Sequence, residues 1–393
     1  MTAAREPTND TPNTSSPRWL SVTAAVICIC LVLTVAIVAV RPSSELPNGT
    51  ALTGSTDPET DTDPSDEERW AAIDPEVQAL PRWTEPPPED PVRYAFVGDI
   101  HGEGGVGAAL EAGENPFGLF TPALEDADVT VANLETAVAT EGTPQDKQFV
   151  FNAPLNITDT MAAAGIDVVS LANNHAMDYG TQAMLETADR VEGAGMSVIG
   201  AGVTRDEAFE PHVVDVDGVS VAIIGTSRLL PHESWFATAE GPGIASAYDL
   251  DDAVEAVWQA RQTADRVVVF VHWGDELAAC PNQVQHKLAD AFVEAGADVI
   301  VGHHPHVLQG IEVRDHTLIA YSLGNFAFYA RDHDPRRTGV LQVDQAGEET
   351  SWNFVPGMLT DGVPTPVHDE QAQDVLGTIE ARSPGGEAGC SFG

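Results

Sequence analysis

Five short motifs carry residues that bind cations or move protons: Gly98-Asp99-Ile100-His101, Asn133-Leu134-Glu135, Asn173-Asn174-His175, His272-Trp273-Gly274 and Gly302-His303-His304-Pro305-His306. Asp99 and His101 share one face of an extended segment, because side chains alternate with period two. The pair offers an oxygen and an imidazole to one cation, or is a turn Asp beside an incidental His. Glu135 supplies a carboxylate able to bridge two metals, or caps the loop after its strand. Asn174 can ligate a hard cation through its amide oxygen, and His175 can protonate a leaving group, with Asp178 placed to orient the ring. A loop of Asx-turns would explain the Asn but not the His. His272 ends a buried strand, where a satisfied core histidine is the plainer alternative. His303, His304 and His306 around Pro305 are harder to accommodate in a core, since each imidazole needs partners. Neutral imidazole is the commonest protein metal ligand, and mixed Asp, Glu, Asn and His donors suit Mn, Zn, Fe or Mg better than a thiolate-demanding metal.

Two further side chains are candidates for substrate binding. Lys147 is one of two lysines, with Lys287, on a chain of 61 acidic and 18 basic residues. It serves either a phosphate or carboxylate ligand or an ordinary salt bridge. Asn325 closes Tyr321-Ser322-Leu323-Gly324-Asn325-Phe326 and is read as polar lining. Arg331, Arg336 and Arg337 form a rare basic patch, an anion contact or a charge-balancing loop. The formal net charge of −43 repels nucleic acid, so no nucleic-acid partner is expected. Self-repulsion on such a surface is screened by salt, which points to salt adaptation or to a merely acidic protein.

The elements that must position these residues are legible as pattern. All five motifs end or close apolar runs, which places them at the carboxyl ends of strands, where open α/β sheets build sites. Strands are expected at 94–97, 129–132, 168–171, 198–199, 267–271 and 299–301, with a hairpin of 213–216 and 219–224 around Asp217-Gly218. Helices are expected at 157–164, 180–193, 249–264 and 283–295, the last stopped by Gly296. Runs at 307–313, 317–322, 339–343 and 352–355 suggest a second, more antiparallel sheet. Alternation followed by hairpins implies two packed sheets with outer helices.

Before the domain, residues 1–18 read as a disordered tail. Residues 19–40 contain no charge and are long enough, at about 1.5 Å per residue, to span a hydrocarbon core of roughly 30 Å. They read as one transmembrane anchor, with a cleaved signal as the alternative. Arginines at 5, 18 and 41 favour the amino terminus inside and the body outside the cell membrane. Residues 41–91 form an acidic linker rich in Pro, Ser and Thr, residues 92–358 the folded domain, and 359–393 a partly helical tail. Outside the cell Cys280 and Cys390 are free to pair or to remain thiols.

The chain resembles the CapA family of capsule-synthesis proteins linked to poly-γ-glutamate. The resemblance rests on Asn133-Leu134-Glu135, Phe149-Val150-Phe151-Asn152-Ala153-Pro154, the segment Ser170 to Gly180, His272-Trp273-Gly274-Asp275-Glu276, Gly302 to Gly310 and Tyr321 to Phe326. It covers Val92 to about Pro356. It implies an α/β fold like calcineurin-type metallophosphoesterases, a four-layer α/β-β/α sandwich of two mixed sheets. By the same resemblance Asp99, His101, Asn174, His272 and the His303/His306 pair match metal-ligand motifs. Glu135 stands where phosphoesterases carry a bridging Asp, in a differently spaced motif, which leaves the second metal and ordinary phosphatase activity open. The implied protein is membrane-anchored, with capsule synthesis or export proteins as partners. Its site acts on a phosphoester or a polymer amide bond, or binds an anionic polymer without turnover; a folded relic without metal is the third option.

Overall fold

Strands covered on both faces must be apolar on both, and the inner strands of this domain are. Arg266–His272 and Val299–His303 are buried at every position. The computed structural model describes residues 87–248 and 250–392, all within one unit, Thr62–Gly393. The expected tail, the 19–40 anchor and most of the linker lie outside the described residues.

In chain order the first elements are β1 (Val92–Ile100), α1 (Gly104–Glu111), α2 (Thr121–Leu124), β2 (Val129–Leu134), α3 (Ile157–Ala162), β3 (Val168–Ser170), α4 (Thr181–Gly193) and β4 (Ser197–Ile199). Then follow β5 (Ala201–Gly202), α5 (Arg205–Ala208), β6 (His212–Val216), β7 (Val219–Ser227), β8 (Gly243–Ile244), α6 (Leu250–Thr263), β9 (Arg266–His272) and α7 (Gln283–Ala295). The last are β10 (Val299–His303), β11 (Ile311–Arg314), β12 (Thr317–Ala320), β13 (Asn325–Ala327), β14 (Arg337–Ala346), β15 (Glu349–Thr360), β16 (Val363–Pro366) and α8 (Asp369–Arg382).

Two mixed sheets result. One runs β16-β15-β14-β1-β2-β3-β4, with β13 paired to the end of β1; the other runs β11-β12-β10-β9-β7-β6. In the first, β1 to β4 are parallel and β14 to β16 antiparallel. The second has a parallel centre, β12-β10-β9-β7, edged by antiparallel β11 and β6. The expected two mixed sheets are found, but the late strands do not form the second, more antiparallel sheet by themselves. Late hairpin strands complete both sheets, since β14 pairs with β1 while β11 and β12 extend from β10. The anticipated strand at 307–313 begins only at Ile311, because the chain first turns through the Pro305 motif.

Period-two alternation divides the core into three apolar layers. Tyr94 and Phe96 of β1 face Val268 and Phe270 of β9 between the sheets. Ala95 and Val97 face outward onto Leu110, Met161 and Met184 of the first helical layer. On the opposite side Val267, Val269 and Val271 pack on Val257, Leu288 and Phe292 of α6 and α7. Helix α7 has a capping box between Asn282 and Gln285 and ends at Gly296 in left-handed backbone, φ 103°. The expected boundary at 358 falls inside β15. Residues beyond it belong to the domain, because α8 buries Val375 and Ile379 in the layer between the sheets. Cys280 and Cys390 are joined in a disulfide.

Candidate metal centre

Close backbone approach at the strand ends builds the centre. A Cβ on Gly98 would lie 2.0 Å from the Gly324 carbonyl oxygen, and one on Gly302 equally close to that of Tyr321. Glycine at both places lets the final residues of β1 and β10 sit against the 321–325 segment. Asp99 N donates to the Gly324 carbonyl at 2.9 Å, and Glu135 N to Ile100 O at 2.7 Å. In register, Asp99 lies beside Asn133 and His303 beside His272. Thus β1, β2, β9 and β10 deliver four of the five motifs to one end of the two sheets.

There the structure gathers two adjoining clusters, Asp99 with Glu135 and His306, and Glu135 with His272 and His304; in each, one ligand atom per residue lies within 4.8 Å of the others. Glu135 belongs to both. His306 Nδ1 is 3.2 Å from Asp99 Oδ2 and its Nε2 is 3.9 Å from Glu135 Oε1. His272 Nε2 lies 3.5 Å from Glu135 Oε1 and 2.9 Å from Asn174 Oδ1, so Asn174 joins the second cluster through its amide oxygen. Both Glu135 oxygens are buried without a hydrogen-bond partner, as is His304 Nδ1. A buried carboxylate without donors needs a positive charge. This donor set of carboxylate, amide oxygen and imidazole fits divalent Mn, Zn, Fe or Mg.

The electrostatics follow from crowding acids in a dry pocket. Burial first, and then the Asp99 charge, push the Glu135 carboxyl well above its ordinary range. Burial would raise Asp99 too, but hydrogen bonds with His303 and His306 hold it well below. Burial works against protonation of His306, yet Glu135 and Asp99 together carry it up to about 9. Burial drives His304 down to about 3, helped by the charge on His306. His272 is lowered by burial and by His304. His304 and His306 also hold left-handed backbone, with φ of 95° and 55°, a strain that clusters at functional sites.

Not every expected ligand joins the clusters. His101 stands apart from both: its Nε2 accepts from Tyr329 N at 3.3 Å, and its ring stacks on Phe328 at 3.7 Å. Burial lowers it to about 3. His303 lies against Phe270 at 4.1 Å with Nδ1 3.3 Å from Asp99 Oδ1, while its neighbour His304 takes the cluster position. Asn325, expected as polar lining, is instead spent on the His306 turn. Its Oδ1 meets His306 Nδ1 at 2.9 Å and its Nδ2 donates to the His306 and Pro335 carbonyls.

His175 has a partner, as its Asp178 neighbour suggested. Nδ1 lies 2.6 Å from Asp178 Oδ2, and Phe151 stacks on the ring at 4.3 Å. The carboxylate can only accept, so this short contact favours a proton on Nδ1, which Lys147 Nζ also approaches at 3.2 Å, and leaves Nε2 for chemistry. Lys147 Nζ donates to Asp178 Oδ1 at 2.7 Å and to the Asn174 carbonyl at 2.6 Å. Of the two readings of Lys147, the ion pair is the one formed; burial lowers its pKa, opposed by Asp178. Burial also lowers His175, again opposed by Asp178.

Three residues escaped the sequence reading as site members. His304 shares a motif with His303 and His306, and its only signal was that crowding of three imidazoles around Pro305. Asn133 donates to Asp99 Oδ1 at 2.8 Å, and Asn173 Nδ2 donates to Asn133 Oδ1 at 3.0 Å while its own Oδ1 accepts from His175 N. This amide chain couples Asp99 to the His175 loop; its only signal was that both asparagines open their motifs.

A two-sheet α/β domain with adjoining carboxylate and imidazole clusters at its strand ends defines a candidate metalloprotein. The chain belongs to the family of the bacterial capsule synthesis protein PGA_cap, whose model matches residues 93–330. Its relatives include the PGA biosynthesis protein CapA of Bacillus subtilis, 34% identical over 285 residues, covering 71% of this chain and 74% of that protein. The capsule biosynthesis protein CapA of Bacillus anthracis is 34% identical over 260 residues, covering 64% of this chain and 63% of that one. A probable polyglutamine synthesis accessory protein of Mycobacterium tuberculosis is 30% identical over 225 residues, covering 53% and 58%. The chain thus spans less than two thirds of the latter two relatives. Among solved structures, a hypothetical protein of Thermus thermophilus is similar at 18% identity and TM-score 0.42, covering 67% of this chain and 99% of that one. A putative 5′-nucleotidase of Staphylococcus aureus is similar at 16% identity and TM-score 0.42, covering 74% and 58%.

Proposed function

We propose that this chain acts in the synthesis or export of capsular poly-γ-glutamate as a metal-dependent hydrolase or transferase. Its bond would be a phosphoester or an amide of the polymer. The observation that carries this reading is Glu135, a fully buried carboxylate shared by two clusters and hydrogen-bonded to nothing. Asp99, Glu135 and His306 would hold one divalent ion, and Glu135, Asn174, His272 and His304 a second. Ions bound there supply Lewis acidity to a substrate oxygen and positive charge against an anionic polymer.

The chain's own groups account for the rest. The Asp178 carboxylate keeps the His175 Nδ1 proton in place, so Nε2 is the atom that passes a proton to or from the departing group. Lys147 holds Asp178 and the Asn174 carbonyl together, fixing the ring relative to the second cluster. Phe151 and Phe328 wall the pocket and limit water around His175 and His101. We further propose a single-pass anchor at 19–40 and an extracytoplasmic domain, with capsule machinery in the membrane as partner; the Cys280–Cys390 bridge supports an oxidising location.

The test is metal analysis of the purified protein, followed by turnover of generic phosphoesters and γ-glutamyl peptides by wild type, Glu135→Gln and His175→Ala. Bound divalent metal in wild type, its loss in Glu135→Gln, and its retention without turnover in His175→Ala are expected. Polymer binding with no turnover in any form would replace the enzyme by an export accessory.

A further inference from the structure

Three residues other than glycine around the centre hold left-handed backbone: Leu277 (φ 59°), His304 (φ 95°) and His306 (φ 55°). Side chains disfavour that region, and it persists only where the surroundings over-determine it. Much of what constrains it comes from the loop after His272. Trp273 N donates to His303 O at 3.1 Å, and Leu277 N donates to Pro305 O at 2.8 Å. From the far side Gln309 Nε2 donates to Ala278 O at 2.9 Å, and Gln285 Nε2 donates to Gln309 Oε1 at 2.8 Å. Loop 273–280 and turn 303–309 therefore grip each other along their length.

Past Trp273 and Gly274, which are buried, that loop has little core of its own. Asp275, Glu276 and Leu277 are exposed, Leu277 by 58%. Its outer end, Cys280, is bonded to Cys390. The carboxy-terminal segment reaches this point from α8 after touching the other side of the same turn. Arg382 Nη1 donates to Leu308 O at 2.5 Å, and Ser383 Oγ accepts from Ile311 N at 2.9 Å. Beyond Ser383 the chain is largely exposed until Phe392, whose ring meets His286 and Tyr321, each at 5.7 Å. The segment is thus a strap, held to the back of the turn at Arg382 and Ser383 and to loop 273–280 by one covalent bond.

We infer that the Cys280–Cys390 bridge is a positioning element of the metal centre: it locks loop 273–280 onto the His304–His306 turn, so cation retention depends on the bridge. The inference rests on the reading that the two clusters hold divalent ions. Its chemical step is simple. Two electrons and two protons from an added dithiol break the S–S bond, giving two cysteine thiols and the oxidised, cyclic form of the dithiol.

The test uses the full chain and Mn²⁺, a hard probe that freed thiols compete for poorly. Oxidised and dithiothreitol-reduced wild type and Cys280→Ser/Cys390→Ser are compared by chelator competition and by amide exchange. Reduction and the double variant are expected to weaken Mn²⁺ retention by about tenfold, as loss of outer-shell support does. They should also speed exchange at Leu277 and Gln309 while leaving β1 unchanged. Reoxidation of wild type, but not of the variant, should restore both. Equal Mn²⁺ retention in both redox states overturns the inference and leaves the centre standing. Mn²⁺ loss that accompanies faster exchange throughout β1 reflects general loosening and also overturns it. Failure of the oxidised chain to bind any divalent ion removes the reading of the centre and the inference with it.

Discussion

The two ends of the central strands bury charge in opposite ways. At the amino-terminal end Asp298 sits between two buried arginines, 2.9 Å from Arg261 Nη1 and 3.4 Å from Arg266 Nη1, and accepts from Val267 N at 2.7 Å. Arg266 spends its Nη2 on the Pro88 and Gly347 carbonyls, clasping the entering chain to the β14–β15 hairpin. That end carries its own cations. At the carboxyl end Asp99 and Glu135 are buried as deeply, and the nearby fixed cation, Lys147, is paired with Asp178. A complete ionic cluster is architecture. An acidic one left short of positive charge is a receptor for it.

The largest expected effects break the receptor end. Asp99→Ala should lower divalent-ion affinity on the order of 100-fold and abolish turnover, as read by calorimetric titration and a substrate screen. Asn174→Ala, which removes one neutral ligand, should cost about tenfold in affinity. Unchanged metal content in either would dissolve the contrast between the two ends. At the architectural end, Arg266→Met leaves Asp298 with one arginine and should cost about 3 kcal/mol in urea unfolding. Chelation of wild type should lower stability by about 2.7 kcal/mol when free metal had stood at 100 times its dissociation constant. Because Arg266 and His272 lie at opposite ends of β9, about 20 Å apart at the rise of an extended chain, the two losses should add. Non-additivity would show that the clusters are coupled.

Legibility differed along the same axis. The strand-end placement of the five motifs was readable because short, Val-rich runs such as Val267–Val271 suit inner strands, and the polar residues follow them directly. Sheet membership was not, because pairing of β14 with β1 joins residues more than 200 positions apart and leaves no local mark. Within the site, Asp99, Glu135, Asn174, His272 and His306 converge where their motifs suggested. His304 was passed over for His303 because the left-handed backbone at His304 and His306 abolishes simple strand alternation. His101 diverges because the aromatic wall of Phe151, Phe328 and Tyr329 captures its ring. Packing of distant loops decided both cases. The arginine cluster at the other end had no motif at all, since Arg266 merely opens β9 and Asp298 precedes β10.

A last substitution separates positioning from ligation at the receptor end itself. Lys147 reaches none of the ligand atoms of either cluster, yet its Nζ bonds Asp178 and the Asn174 carbonyl and lies 3.2 Å from His175 Nδ1. Lys147→Met keeps the length of the stem and removes the charge, so Asp178 retains its bonds to His175 and Phe151 N. Turnover should fall about 10- to 100-fold, as loss of an outer-shell support does, with metal content equal to wild type. His175 would stay bonded to Asp178, while Asp178 loses the lysine that holds it in place. Were Lys147 instead a direct anion contact, the same substitution would raise KM with kcat unchanged. Loss of metal from Lys147→Met would mean that the lysine holds the second cluster together, and the division between the groups that bind cations and the groups that move protons would have to be redrawn.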